Sequence, residues 1–324
     1  MLKISFLMLF AVAGTCSSQN NNLSMTSNNP LLCDVQTGLC EMPVSANNGA
    51  HVSKPVRIVY FTDPICSSCW GIEPMLRRLK LEYGDVVEIS YHMGGLLPSW
   101  EVYNSGGISK PTDVAHHWDE VSQHYEMPID GDVWLEDPLP SSYPPSFAFK
   151  AAQMQDEKKA VAFLRRIREM VFLEKKNITK WEHLEKAALQ AGLNTSQFKL
   201  DYEGQAQALF QDDLTLGRSL NIRSFPTLVF TDADQQKLVL KGVRPYEHFE
   251  QTLLALHPQA LKKVYDKSPE ALFQYYPTLT TKEFAVLADL TKEQAESTLN
   301  SLLAKGAISV SKTKNGPLWK VNAG

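Results

Sequence analysis

Apolar positions along the chain switch between a strand rhythm and a helix rhythm. Residues 56–61 form a short continuous apolar run, as a buried strand does. Beyond it Ile72, Met75, Leu76 and Leu79 recur at helical spacing, in a segment from Cys66 to about Tyr83 that Pro74 is expected to bend. Residues 86–93 read as a second strand, with Gly94-Gly95 at its exit. The order β-α-β implies a sheet with a crossover connection. From about residue 97 to 216 the pattern is helical, with stretches at 114–124, 145–155, 157–175, 180–191 and 195–216, and a proline-rich link at 128–144 that holds Trp134. That is too long for a loop and reads as a helical insertion. The strand rhythm then returns. Ile222-Arg223-Ser224-Phe225-Pro226 leads into a strand at 227–230, Asp232-Ala233-Asp234 makes a turn, 237–240 is the partner strand, and a helix follows at 246–256.

After Pro258 the pattern changes again. Thr280-Thr281-Lys282-Glu283 and Thr291-Lys292-Glu293-Gln294 are capping boxes that open two helices, the second stopped by Gly306. Residues 307–310 and 318–321 alternate around Asn315-Gly316, a hairpin signal. Two helices and a hairpin resemble a winged-helix module, placed at 270–322. Its second helix carries Glu293 and Glu296 with few positive residues, so docking or dimerisation is expected of it rather than DNA binding.

Composition narrows the classes. The chain of 324 residues allows a large core and one to three domains, and a net charge of −4 gives no reason to expect a nucleic-acid or anionic-membrane surface. Lys3 followed by an apolar run at 4–13, too short to span a bilayer, reads as a signal peptide over residues 1–16. Ala13-Gly14-Thr15-Cys16-Ser17-Ser18 resembles a bacterial lipoprotein cleavage box, which makes Cys16 the expected lipid attachment site and the protein exported, periplasmic and anchored; Thr15 departs from the usual Gly or Ala. A cytoplasmic protein starting at Met25 is the alternative. Residues 17–53, rich in Asn and Ser at their start, are expected to be a tether.

Of the five cysteines, setting Cys16 aside leaves two close pairs. Cys66 and Cys69 sit where a strand hands over to a helix N-terminus, within Thr62-Asp63-Pro64-Ile65-Cys66-Ser67-Ser68-Cys69-Trp70-Gly71. Unpaired backbone N–H groups and the positive end of the helix dipole favour a thiolate there. CxxC in this setting points to thiol–disulfide chemistry; the competing reading, half of a zinc knuckle, needs two further ligands. Cys33 and Cys40 flank a turn at Gly38 and are open to three readings: a structural staple, a second redox pair exchanging with Cys66 and Cys69, or a soft-metal site.

A strand, a CxxC on a helix, a large helical insertion and a proline-started β-β-α unit resemble a DsbA-like thioredoxin-fold protein over residues 54–257. The runs Asp63 to Trp70 and His92-Met93-Gly94-Gly95-Leu96 resemble its FrnE branch, which is also similar to the SpxH (YjbH) group of protease adaptors. The resemblance implies roles. Cys66 is the nucleophile and Cys69 the resolving partner. Pro226 is a cis-proline against the disulfide, Phe225 presents backbone to a substrate strand, and Trp70 either packs or touches substrate. It implies cysteine-containing protein substrates and a redox partner protein, with no cofactor and no metal. Ser67-Ser68 stands where the strong oxidants of the family carry a histidine, so a less depressed Cys66 pKa and a milder oxidant are expected. His92, Trp100, His116 and His117 receive no chemical role. A non-enzymatic adaptor is the alternative function.

Overall fold

The computed structural model describes residues 54–322 and, before them, the backbone of two short strands. These are β1 (Leu32–Cys33) and β2 (Leu39–Met42). The apolar run becomes β3 (Val56–Thr62). The expected bent helix is two helices, α1 (Ser67–Gly71) and α2 (Glu73–Tyr83), broken at Ile72 so that Pro74 falls in the first turn of α2, where its missing N–H costs nothing. β4 (Val87–Met93) lies parallel to β3, with Val56 opposite Val87 and Thr62 opposite Met93.

The insertion contains α3 (Pro111–Tyr125), α4 (Val133–Glu136), α5 (Tyr143–Gln155), α6 (Glu157–Leu173), α7 (Trp181–Gln190), α8 (Thr195–Glu203) and α9 (Ala206–Ser219). The helix expected over 195–216 is thus two, interrupted at Gly204, whose φ of −114° and ψ of −111° are not helical. α4 was not legible, being a single turn. The insertion has no core of its own. Trp118 and Phe172 from it share one apolar cluster with Trp70, Tyr60 and Tyr91 of the sheet and active-site helix.

β5 (Thr227–Thr231), β6 (Lys237–Lys241) and α10 (Tyr246–Leu256) complete the unit. The six-stranded sheet has the order β1-β2-β6-β5-β3-β4, so β3 is an interior strand between β5 and the edge strand β4. The fold is thioredoxin-like, as expected. The strands at 32–33 and 39–42 lie inside the stretch expected to be tether; they form an antiparallel hairpin added to the edge of β6. Cys33 stands directly opposite Cys40. Across the sheet Cys40 aligns with Val239, then Val229, then Val59 of β3, three strand spacings or roughly 14 Å away. The choice among staple, exchange and metal site concerns side chains of Cys33 and Cys40 that lie outside the described residues.

The last segment runs α11 (Pro269–Tyr275), β7 (Thr278–Thr280), α12 (Thr281–Ala288), α13 (Lys292–Ala304), β8 (Ile308–Thr313) and β9 (Gly316–Val321). Its sheet order β7-β9-β8 and its separate apolar cluster around Phe284, Leu299 and Trp319 are those of a winged-helix-like module. Both capping boxes are present. The hairpin turn is at Lys314 and Asn315, since Gly316 already pairs with Thr313.

This module is seated on the back of the active-site helices. Glu283, fully buried, is held at both oxygens by Arg165 at 2.8 and 3.1 Å and lies 3.3 Å from Arg77. Arg77 donates to the Thr278 carbonyl and stacks over Tyr276. The hairpin tip reaches the insertion, where Asn315 donates to Asp119 and to the Ile129 carbonyl.

Two predictions follow from these contacts. Glu283→Ala leaves two buried guanidinium groups without their partner and is expected to cost about 3–5 kcal/mol in denaturant unfolding; a loss under ~1 kcal/mol contradicts it. Burial opposes the Glu283 carboxylate, yet Arg165 and Arg77 outweigh it and hold its pKa below the ordinary value. The stabilisation is therefore present above the unfolded value of about 4.3 and fades as pH falls through the folded one. In non-reducing peptide mapping Cys33 is expected joined to Cys40, and recovery of both as free thiols contradicts the staple.

Candidate active site

Cys66 is the N-cap residue of α1, with φ −76° and ψ 107°, so its backbone is still extended where the helix begins. Its Sγ accepts the backbone N–H of Cys69 at 3.2 Å. This is the position that Ser, Thr, Asp or Asn usually fills, and a sulfur that accepts a helix N–H is favoured as the anion. Cys66 is 5% exposed and Cys69 is fully buried, and both are free thiols. Ser68 bonds through its hydroxyl to that of Tyr125, and Gly71 lets the Tyr125 ring pack where any Cβ would stand 2.8 Å away.

Trp70 is a packing residue. It is fully buried, stacks on Phe172, donates Nε1–H to the Pro128 carbonyl and lies under the Arg165 guanidinium. A substrate on the surface does not reach it, which removes the substrate contact expected as one of its two roles.

The Phe225–Pro226 peptide bond is cis. Phe225 packs its ring on Gly94, where a Cβ would come within 2.0 Å of it. Phe225 also lines a cavity of about 160 Å³ that opens beside Cys66, with Leu96, Trp100, Trp118 and Trp134 among its walls. That volume suits one or two side chains rather than an organic cofactor. Trp100 and His117, given no role by spacing, face this cavity. His92 instead bonds Asp213 at 2.7 Å, and Asp213 also accepts from Lys150, a structural set. Among the described residues no group of three His, Cys, Asp or Glu side chains gathers to hold a metal.

Beneath the cysteines lies a buried polar set. Arg168 of α6, fully buried, donates to Glu73 at 2.6 Å, to the Thr62 hydroxyl at 2.6 Å and to the Asp63 carbonyl at 3.2 Å. Thr62 in turn bonds the buried Tyr60 hydroxyl at 3.0 Å. Asp63 accepts from the backbone of Ile65 and Leu96 and from Ser142, which fastens the loop before Cys66 to the insertion. Arg168, Glu73, Tyr60 and Ser142 were not singled out from sequence, and Thr62 and Asp63 entered only as part of the run around the cysteines. The available signal was Arg168 itself, a charge amid the apolar residues Leu164, Ile167, Val171 and Phe172.

The two cysteines differ in environment. Burial pushes the Cys66 thiol up, reinforced by the hydrogen bond and charge of Cys69. For Cys69 burial acts the same way, but the hydrogen bond from Cys66, the Arg168 charge and the Thr62 hydroxyl outweigh it and bring the pKa below the ordinary value.

Burial also raises Asp63 from 3.8 to about 6, against the N–H groups of Leu96 and Ile65 and the Ser142 hydroxyl. A raised acid stabilises the fold below its unfolded pKa and loses that contribution as pH rises through the folded value. Stability is expected to drop by up to ~3 kcal/mol between about pH 4 and 6 from this group. Asp63→Asn, always neutral, is expected to flatten that stretch of the unfolding profile. A wild-type slope retained in the variant contradicts this.

Comparison with known proteins agrees with this geometry. Residues 60–251, more than half of the chain, match the family model described as Thioredoxin. The chain is 35% identical to the ClpXP adapter protein SpxH of Halalkalibacterium halodurans over 89% of this chain and 96% of that one. It is 30% identical to SpxH of Bacillus subtilis over 83% and 90%. Among solved structures, the cytosolic disulfide reductase DsbM of Pseudomonas aeruginosa is similar in fold, with a TM-score of 0.51 and 24% identity over 62% of this chain and 99% of that one. The family match over residues 60–251 and the SpxH relatives, which align along most of the length, place the chain in the thioredoxin family, related to the SpxH proteins.

Proposed function

We propose that the protein is a thiol–disulfide oxidoreductase that acts on cysteine-containing proteins and exchanges electrons with a redox partner protein. The observation that carries this reading is the position of the Cys66 sulfur. It caps a helix and borders a cavity that it shares with Phe225, while Cys69 lies directly behind it. In the oxidised form a substrate thiolate attacks Cys66, and the electron pair of the Cys66–Cys69 bond goes to Cys69. A second substrate thiolate then displaces Cys66, giving a substrate disulfide and the reduced pair. The backbone before Pro226 is available to an incoming extended chain. We also propose that the protein is exported and lipid-anchored through Cys16, on the strength of its leader.

The SpxH relatives favour a second reading, an adaptor that binds a partner protein without turnover, in which the alignment continues beyond the thioredoxin segment. Cysteine variants separate the two. Cys66→Ser is expected to lose disulfide exchange with insulin or a model peptide by at least ~100-fold, and Cys69→Ser to accumulate a mixed disulfide at Cys66. Full retained exchange in Cys66→Ser, or no exchange in the wild type, overturns the enzymatic reading.

A further inference from the structure

A second cavity, of about 420 Å³, lies where α2, α6 and the link between α11 and β7 meet. A cleft of that size between helices suits a small molecule. Glu73, Arg77 and Lys80 line it from one face of α2. Lys158, Arg165, Arg166 and Glu169 line it from α6. Five cations and two carboxylates therefore border one space.

The guanidinium groups are matched. Arg165 and Arg77 share Glu283, Arg77 also lies 3.9 Å from Glu73, and Arg165 donates to Glu169 at 2.9 Å. Arg166 donates to both oxygens of Glu174, at 2.7 and 2.9 Å. The Arg168 charge goes to Glu73. Four guanidinium groups thus meet four carboxylates, Glu73, Glu169, Glu174 and Glu283. The lysines stand outside this balance. Lys80, half-buried, donates to the Tyr91 hydroxyl at 2.7 Å and forms no ion pair among the described residues. Lys158, exposed, forms none there either. The acids beside it in sequence, Asp156 and Glu157, accept from the Lys159 N–H and from Gln153, and neither lines the cavity.

Two unmatched ammonium groups bordering one cleft call for a ligand with about two negative charges, which a phosphate monoester carries at neutral pH. Lysine meets phosphate as a point charge, without the fixed fork that an arginine uses. The wall also has aromatic surface. Arg77 covers one face of Tyr276, while Tyr275 is 43% exposed and leaves ring surface for stacking. We propose that this cleft binds a phosphate-bearing small molecule with a flat ring, the chemistry of a mononucleotide: Lys80 and Lys158 take the phosphate and Tyr275 takes the ring. Such a ligand touches α2, α6 and the link together, so it binds the folded chain and not the unfolded one. The site is separate from the thiol chemistry at Cys66 and does not depend on it.

The test follows the melting temperature of the full chain against AMP, inorganic phosphate and adenosine, with potassium chloride added to hold ionic strength constant. AMP is expected to raise it saturably, inorganic phosphate to do so more weakly, and adenosine not at all. Lys80→Gln/Lys158→Gln is expected to weaken AMP by about tenfold or more. Tyr275→Ala is expected to weaken AMP and leave inorganic phosphate unchanged. Lys158→Gln alters one exposed charge and is expected to weaken AMP by itself, so it decides the matter if the double variant fails to fold. The proposal is overturned by the absence of a saturable shift with AMP, by a shift that potassium chloride alone reproduces, or by an AMP affinity that the folded lysine variants keep. Inorganic phosphate or adenosine binding as tightly as AMP overturns it too.

Discussion

Arg168 reaches from α6 into the space between the end of β3 and the start of α2, and holds both. It fixes the backbone of Asp63 three residues before the first cysteine and the side chain of Glu73 four residues after the second. The reactive turn is thereby clamped from beneath at each end by one residue of the insertion. The position of the cysteines at this turn depends on these buried contacts, and removal of the cation would loosen the loop.

Two physical tendencies compete at the cysteines. A helix N-terminus favours an anion on Cys66, and its sulfur does accept the Cys69 N–H. Burial and the neighbouring sulfur oppose that anion, and beneath Cys69 the cation tips the balance the other way.

The sheet, the CxxC helix and the broad outline of the insertion were legible because each has a sustained period or a sharp local signal, such as the run before Thr62 or the capping boxes at Thr280 and Thr291. What escaped lacks both. The strands at 32–33 and 39–42 are too short to show alternation and exist through pairing with β6. The break at Gly204 is one residue within an otherwise helical pattern. Arg168 and Ser142 meet the active-site loop across 79 to 106 positions of sequence, and no local pattern reports a contact at that range. Trp70 looked ambiguous beside the cysteines because its neighbours Phe172 and Arg165 come from the same distant helix.

The module after residue 268 is fastened to α2 and α6 through Glu283, so the scaffold behind the cysteines is continuous from the insertion to the C-terminal hairpin. The account rests on a redox-active pair at the start of a helix, Cys66 bordering a cavity and Cys69 buried behind it, with no histidine between them. The reduction potential of Cys66 and Cys69 in the wild-type protein tests it most directly. The account predicts a value between about −270 and −120 mV, the span from thioredoxin to the strongest oxidants of the fold. A value below about −300 mV, as structural disulfides have, would contradict it.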